Sequence, residues 1–539
     1  MLALAACSGV ASDGDGGLEA PLVRTGSGSL GGVRLPSGVL AFRGVPYALA
    51  PVGERRWRPP EPPADWSGVR EATAFAPGCP QGDGTVAYYR RAARRLGRDT
   101  ASVPEPGPTA EDCLYLNVWT PATSPAEPLP VFVWIHGGAG TTGSGADPLL
   151  RGDRLARRGA VVVTLNYRLG ALGFLAHPAL SAGDPDGVSG NYALRDVLRA
   201  LRWIRANAAA FGGDPTRVTL AGQSSGASLA ETLLVVPEAR GLFHRVISQS
   251  ATMLDPARLR APGDGPDAEA AGVRFLERLG LGARARAGDL RSLPVDSLLA
   301  AAARAGPGSP AGPVVDGRLL PAAPAQLWAS GSFTRVPILK GTTDDEFSLF
   351  LPPSPLEPGA YEEWVRERYG ESASRVLEAR PPGPDAETTR RQRIRLLTDR
   401  VFRAPVLLVL RWIDGRSPVY LYRFRWRPDD GAVGAFHSAD LPFLFDTHEA
   451  AGWWPRDDAT VRLGATVQEA WLRFAATGVP GAEGLPSWPA AGPERPRVMV
   501  LDGTPRVETV EPRGLLRHLA ERLEARLLPD GMEAATVPE

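Results

Sequence analysis

Residues 218–236 constrain the fold more than any other stretch of this chain. They read Val-Thr-Leu-Ala, then Gly222-Gln223-Ser224-Ser225-Gly226, then a helix-compatible run to position 236. An apolar strand that enters a glycine-bounded turn and leaves as a helix is part of a parallel β-α-β arrangement, so further strands must lie beside it. The glycines have a steric purpose: small neighbours let the chain turn sharply and leave the central serine hydroxyl exposed. As a bare pattern Gly-x-Ser-x-Gly means little, because with 61 glycines in 539 residues chance order produces it in roughly one such chain in three. The strand before it and the helix after it make it informative. The helix N-terminus beside Ser224 then offers free N–H groups and a positive dipole end to an oxyanion. The bland alternative is a tight turn with an incidental serine.

Other β-branched, apolar runs occupy residues 131–135, 160–165, 336–339 and 419–424. Between the second of these and the serine segment, residues 191–210 place Leu194, Val197, Leu198, Leu201 and Ile204 on one helical face, with Arg195, Arg199, Arg202 and Arg205 elsewhere. That is an amphipathic crossover helix. The alternation predicts an α/β fold with a large central, mostly parallel sheet flanked by helices. Residues 78–108 and 254–324, rich in Pro, Gly, Ala and Arg, break the alternation and read as loop and helical insertions over an active site, or as surface elaboration. No linker separates two self-contained patterns, so residues 21–539 are expected to form a single catalytic domain.

Bulk properties narrow the partners. The chain is 43% hydrophobic and 22% charged, an ordinary globular balance, and its formal net charge is zero. No basic patch dominates, so no nucleic-acid partner is expected. No apolar run is long enough for a spanning helix. Residues 1–8, Met-Leu-Ala-Leu-Ala-Ala-Cys-Ser, resemble the end of a bacterial lipoprotein signal but are too short for one. The expectation is that residues 1–20 are a truncated signal and flexible tether, that Cys7 is lipidated, and that the protein is exported, either secreted or lipid-anchored to the cell envelope. The alternative is an ordinary start with an incidental Cys7. Cys79 and Cys113 are either a disulfide suited to an exported protein or a pair of buried thiols. Oligomeric state is not legible.

An acyl-transfer serine needs donors for a tetrahedral oxyanion. His136-Gly137-Gly138-Ala139-Gly140 follows the strand at 131–135, and the backbone N–H groups of Gly138 and Ala139, with that of Ser225, are the expected donors. The general base can be sought by elimination among six histidines. His437 and His448 remain after those in strand-flanking or helical contexts are set aside, and His437, in a loop after the strand at 419–424, is the better candidate. Its orienting acid belongs between serine and histidine, where Asp344, Asp345 and Glu346 stand together, and spacing alone does not choose among them. No metal or cofactor is expected, since the scattered histidines and two candidate disulfide cysteines form no ligand set.

With these residues stand Phe42-Arg43-Gly44-Val45-Pro46-Tyr47-Ala48, Cys79-Pro80-Gln81, Glu111-Asp112-Cys113-Leu114-Tyr115-Leu116-Asn117-Val118, Asn166-Tyr167-Arg168, Phe211-Gly212-Gly213-Asp214-Pro215 and Ser248-Gln249-Ser250. Together they resemble the type-B carboxylesterase/lipase family, which includes the cholinesterases and bacterial para-nitrobenzyl esterases, nearly end to end. The resemblance implies the α/β-hydrolase fold, a Ser224, Glu346 and His437 triad, a Cys79–Cys113 disulfide, a supporting role for Ser250, and hydrolysis of a small-molecule ester through an acyl-enzyme. Four departures qualify it. Gln223 replaces the usual glutamate, which removes a negative charge beside the base and points to neutral esters rather than cationic choline esters. Ala139 and Gly140 alter the oxyanion loop, Phe347 replaces a glycine after the acid, and Ser438 and Asp440 replace the Gly and Glu that usually follow the base. Rival readings are a catalytically silent binding or adhesion protein of the same fold, or an amidase, carbamate or lactone hydrolase using the same triad.

Overall fold

A computed structural model describes residues 20–528 except 106, 252, 262–266, 428–432, 451, 453, 455 and 511–513. The lipidation site expected at Cys7 lies outside the described residues. Eleven strands form the central sheet: β1 Val33–Arg34, β2 Leu40–Pro46, β3 Tyr115–Thr120, β4 Leu129–Ile135, β5 Val161–Leu165, β6 Gly213–Gln223, β7 Arg245–Gln249, β8 Ile338–Thr343, β9 Val419–Phe424, β10 Arg497–Leu501 and β11 Arg506–Thr509. Their spatial order is β11-β10-β9-β8-β7-β6-β4-β5-β3-β2-β1. The run from β5 to β10 is parallel throughout, and antiparallel pairs close both edges. A separate three-stranded sheet is formed by Leu22–Thr25, Gly28–Gly31 and Val69–Glu71.

The parallel strands are buried on both faces, which is why they read as continuous apolar runs rather than alternating ones. In β4, Val131, Val133 and Ile135 join one core layer with Leu194, Val197, Leu198, Leu201 and Ile204, while Phe132 and Trp134 join the opposite layer with Phe443 and Trp471. Each such side chain contributes about 1.5–3 kcal/mol by leaving water.

Two expected boundaries move. β6 runs for eleven residues, and β8 begins at Ile338 rather than at position 336, because Pro337 has no N–H to give to a ladder. Strands β2 and β3 escaped sequence reading because a bulge interrupts β2 between Phe42 and Val45, and the polar Asn117 of β3 accepts the Gly44 N–H there at 3.0 Å.

The flanking helices that matter for the site are α1 Gly84–Arg95, α2 Tyr192–Asn207, α3 Ser225–Leu234 and α4 Leu515–Leu527. The crossover helix α2 ends before position 210, where Ala208–Phe211 form a short 3₁₀ turn closed by left-handed Gly212. Helix α1 lies inside the first insertion, whose base is tied by the Cys79–Cys113 disulfide across 34 residues of sequence. Closing a loop of that length restricts the unfolded chain, so reduction is expected to cost about 3–4 kcal/mol. Guanidinium unfolding midpoints with and without reductant check this; coincident midpoints would show that the link adds no stability. The second insertion carries helices Ala268–Glu277, Ala287–Arg291 and Val295–Ala305, which pack Phe275, Leu276, Leu290 and Leu298 against Leu172 and Leu175.

Candidate active site

Strand order reverses at β4, which pairs with both β5 and β6. In an open parallel sheet the crevice beyond such a switch point is where ligands bind. Ile135, the last residue of β4, is in register with Gly222 of β6, so the glycine loop and the serine turn leave the sheet side by side.

Glycines allow this proximity. A Cβ on Gly226 would lie 2.1 Å from the Ile135 carbonyl oxygen, and one on Gly137 would lie 2.8 Å from Gln223 Oε1. Any side chain at either place would push α3 off the sheet or the loop off the turn. Ser224 itself has φ 55° and ψ −127°, a conformation rare for a residue with a Cβ. Its N–H donates to Gln249 O at 2.8 Å, and its carbonyl accepts the first helical bond from Ser228 at 2.9 Å. The turn is thus held from β7 on one side and α3 on the other, which keeps the hydroxyl at the sheet's edge.

His437 is buried against Gln223, the residue before the serine. Its Nδ1 lies 2.6 Å from Glu346 Oε2, and the other carboxylate oxygen of Glu346 accepts the Thr343 N–H at 2.9 Å. The three neighbouring acids have separate fates. Asp344 binds Arg403 and Arg425, Asp345 accepts the Ala435 N–H at 3.1 Å, and only Glu346 meets the imidazole. His437 Nε2 faces Gln223 Nε2 at 3.0 Å, so the amide donates to the lone pair of that nitrogen. His448 is buried against Phe443, and His136 stacks on Tyr167. Burial pushes the His136 imidazole down to about 4, which leaves it neutral near pH 7.

Backbone N–H groups of Gly138, Ala139 and Ser225 have no hydrogen-bond acceptor among the described residues. Ala139 keeps its N–H at a price in conformation, since its φ is 57°. A left-handed residue with a Cβ costs about 1–2 kcal/mol, so Ala139→Gly is expected to stabilise the protein by up to about 1 kcal/mol after the extra freedom of glycine in the unfolded chain is counted. A thermal scan reads this as a raised Tm with kcat retained; a lower Tm would mean the alanine methyl is packed favourably. Ser438, with φ 71°, explains why glycine is usual there. Ser250 is also left-handed, its N–H bonded to Gly341 O at 2.8 Å, and its buried Oγ has no hydrogen-bond partner among the described residues. Asp440 accepts from Gln249 Nε2 and Tyr422 OH, and burial together with the nearby Glu346 charge pushes its carboxyl up to about 6.

Sequence reading missed two supports. Helix α1 clamps the loops of both His437 and Glu346: Tyr88 OH donates to His437 O at 2.7 Å, while Arg91 and Arg95 donate to Leu349 O and Leu351 O at 2.9 Å each. The other is Lys340, buried on β8 and ion-paired with Glu231 of α3, which also accepts from Ser248 Oγ. Its signal was its uniqueness, as the sole lysine among 60 basic residues. Phe347 joins an aromatic wall, packing on Phe350 and Phe402, both of which lie against the His437 ring.

A serine on a strained strand-to-helix turn at the switch point of a largely parallel sheet, next in sequence to a glutamine whose amide meets a carboxylate-held imidazole, defines an α/β-hydrolase. The chain belongs to the carboxylesterase family, whose model matches residues 19–514, and it is a carboxylic ester hydrolase. It is 35% identical over 483 residues to a fumonisin B1 esterase of Sphingopyxis macrogoltabida, covering 87% of this chain and 84% of that protein. It is 34% identical over 490 residues to a para-nitrobenzyl esterase of Bacillus subtilis, covering 88% and 93%. Solved structures agree. A PNB esterase superposes with a TM-score of 0.79 at 32% identity over 93% of this chain and 99% of that one, and a Geobacillus stearothermophilus carboxylesterase with 0.77 at 36% over 92% and 99%.

Proposed function

We propose that Ser224 attacks the ester carbonyl, that His437 takes and returns the proton, and that Glu346 orients the imidazole and stabilises its cation. The observation that carries this reading is the 2.6 Å contact between His437 Nδ1 and Glu346 Oε2. With Nδ1 donating to the carboxylate, Nε2 keeps a lone pair for the serine proton. The Gln223 amide rests on that lone pair and is displaced by the Ser224 hydroxyl as the ester enters. The carbonyl oxygen becomes an oxyanion held by the N–H groups of Gly138, Ala139 and Ser225, aided by the positive end of α3. Collapse expels the alcohol, which takes the proton from His437. Water, deprotonated by the same imidazole, then cleaves the acyl-enzyme.

Gln223 carries no charge, so nothing there attracts a cationic alcohol, and the groups around the scissile bond are those of neutral carboxylic esters. A fluorophosphonate tests the nucleophile directly. It is expected to abolish activity with one adduct per chain, on the peptide containing Ser224; full inactivation with the adduct elsewhere refutes the assignment.

Export, as secreted or lipid-anchored protein, is part of the same proposal, supported by a disulfide that suits an oxidising compartment. Among the described residues no helix is long and apolar enough to cross a membrane. Mass spectrometry of the envelope fraction checks the anchor, and an unmodified Cys7 sinks it.

A further inference from the structure

Beyond the aromatic wall beside His437, a cavity of about 490 Å³ opens between Phe347, Met253 and the face of α4. Two chains of contact tie it to the reacting centre. Phe347 packs on Phe402, which packs on the His437 ring. Met253, three positions after Ser250, lies beside Gly312, while the adjacent Ala311 carbonyl crowds Gly140 of the oxyanion loop, where an added Cβ would be 2.2 Å away. The groove therefore begins at the edge of the ester site.

Its floor is apolar, including Leu397 and Leu523, and its rim holds Arg368, Arg400, Arg522 and Arg526 against the single carboxylate Asp255. None of these four guanidinium groups is ion-paired among the described residues. Arg522 donates to Tyr369 O and Ser372 Oγ, and Arg400 lies over the Tyr369 ring at 5.7 Å. A second arginine-rich cleft differs, because Arg403, Arg423, Arg425 and Arg427 there are ion-paired with Asp344, Asp345 and Glu508. Arginine is abundant throughout this chain, but arginines gathered without counter-charges around a cavity are a cationic site.

We propose that this groove is a subsite for a carboxylate carried on the ester substrate, several bonds from the scissile carbonyl. The inference rests on the esterase reading above and deepens it: the scissile end is neutral, and the discriminating charge lies further out. The apolar floor accommodates a methylene chain, and the guanidinium rim offers planar, charge-assisted donors to its terminal carboxylate.

The test compares nitrophenyl half-esters of long-chain dicarboxylic acids with nitrophenyl alkanoates of equal length, over a series of lengths. For the wild type at low salt, the ratio of kcat/KM, half-ester over alkanoate, is expected to peak at one chain length. In the double variant Arg368→Gln/Arg526→Gln, whose arginines make no hydrogen bond among the described residues, that peak ratio should fall about tenfold while alkanoate turnover stays within about twofold. Raising salt from about 0.1 M to about 1 M, which shortens the screening length from about 10 to about 3 Å, should erode the wild-type ratio without changing alkanoate rates. Arg526→Glu should lower it again, giving a second variant if the first is poorly folded. A ratio that is the same in wild type and variants at every length overturns the subsite. Failure of the wild type to cleave either series overturns the esterase reading instead.

Discussion

Ser224→Ala is expected to lower kcat on short-chain nitrophenyl esters by about 10⁵–10⁶-fold. The methyl group keeps the volume of the turn and inherits the same left-handed strain, and α3 stays docked through Gly226, so the fold should be unchanged by circular dichroism. KM should move little, because the hydroxyl acts in bond making rather than in binding the ester. What activity remains comes from the unaltered N–H donors acting on water. Equal rates for wild type and variant would remove the serine from the chemistry, and a wild type without turnover would favour the silent binding protein of the same fold.

Glu346→Gln should cost about 10⁴-fold in kcat. The reason is in the way the carboxylate is held. Its Oε1 accepts the Thr343 N–H and its Oε2 receives His437 Nδ1. In the variant the amide oxygen stays on Thr343 and the NH₂ turns to the imidazole, so Nδ1 must accept and Nε2 must carry the proton. That tautomer cannot take a proton from serine. Steady-state kinetics on one nitrophenyl ester suffices: a loss below about tenfold would transfer the orienting role to another group. Asp440, buried nearby with its carboxyl pushed up to about 6, would be the first to examine.

These two residues mark different degrees of legibility. Ser224 was readable because strand, turn and helix are contiguous in sequence, and the glycines that permit the turn stand one residue on either side of the Gln-Ser-Ser core. His437 emerged by elimination, an accident of having six histidines. Glu346 rested on family resemblance, because its choice over Asp344 and Asp345 depends on which carboxylate the turn after β8 aims at a loop about ninety residues away, and the hydrogen bond itself spans 91 positions. The unusual residues behaved similarly. Ala139 and Ser438 were visible as substitutions for glycine, but their cost became apparent only from positive φ values. Gln223 was visible as a lost charge, yet its amide on His437 Nε2 joins residues 214 positions apart.

The sequence by itself therefore determined what is local: five of the seven strands in the parallel run, the amphipathic α2, the serine turn and the glycine loop that follows β4. Periodicity, β-branching and the absence of side chains act over a few residues, so they can be read in order along the chain. Only the tertiary structure decided what those parts meet: the contact of Glu346 with His437, the grip of α1 on the loops of His437 and Glu346, the Lys340–Glu231 pair beneath the serine turn, and the gathering beside the aromatic wall of four arginines without an ion pair among the described residues. Those are contacts between segments far apart in sequence, and their geometry comes from the order and register of the strands that carry them.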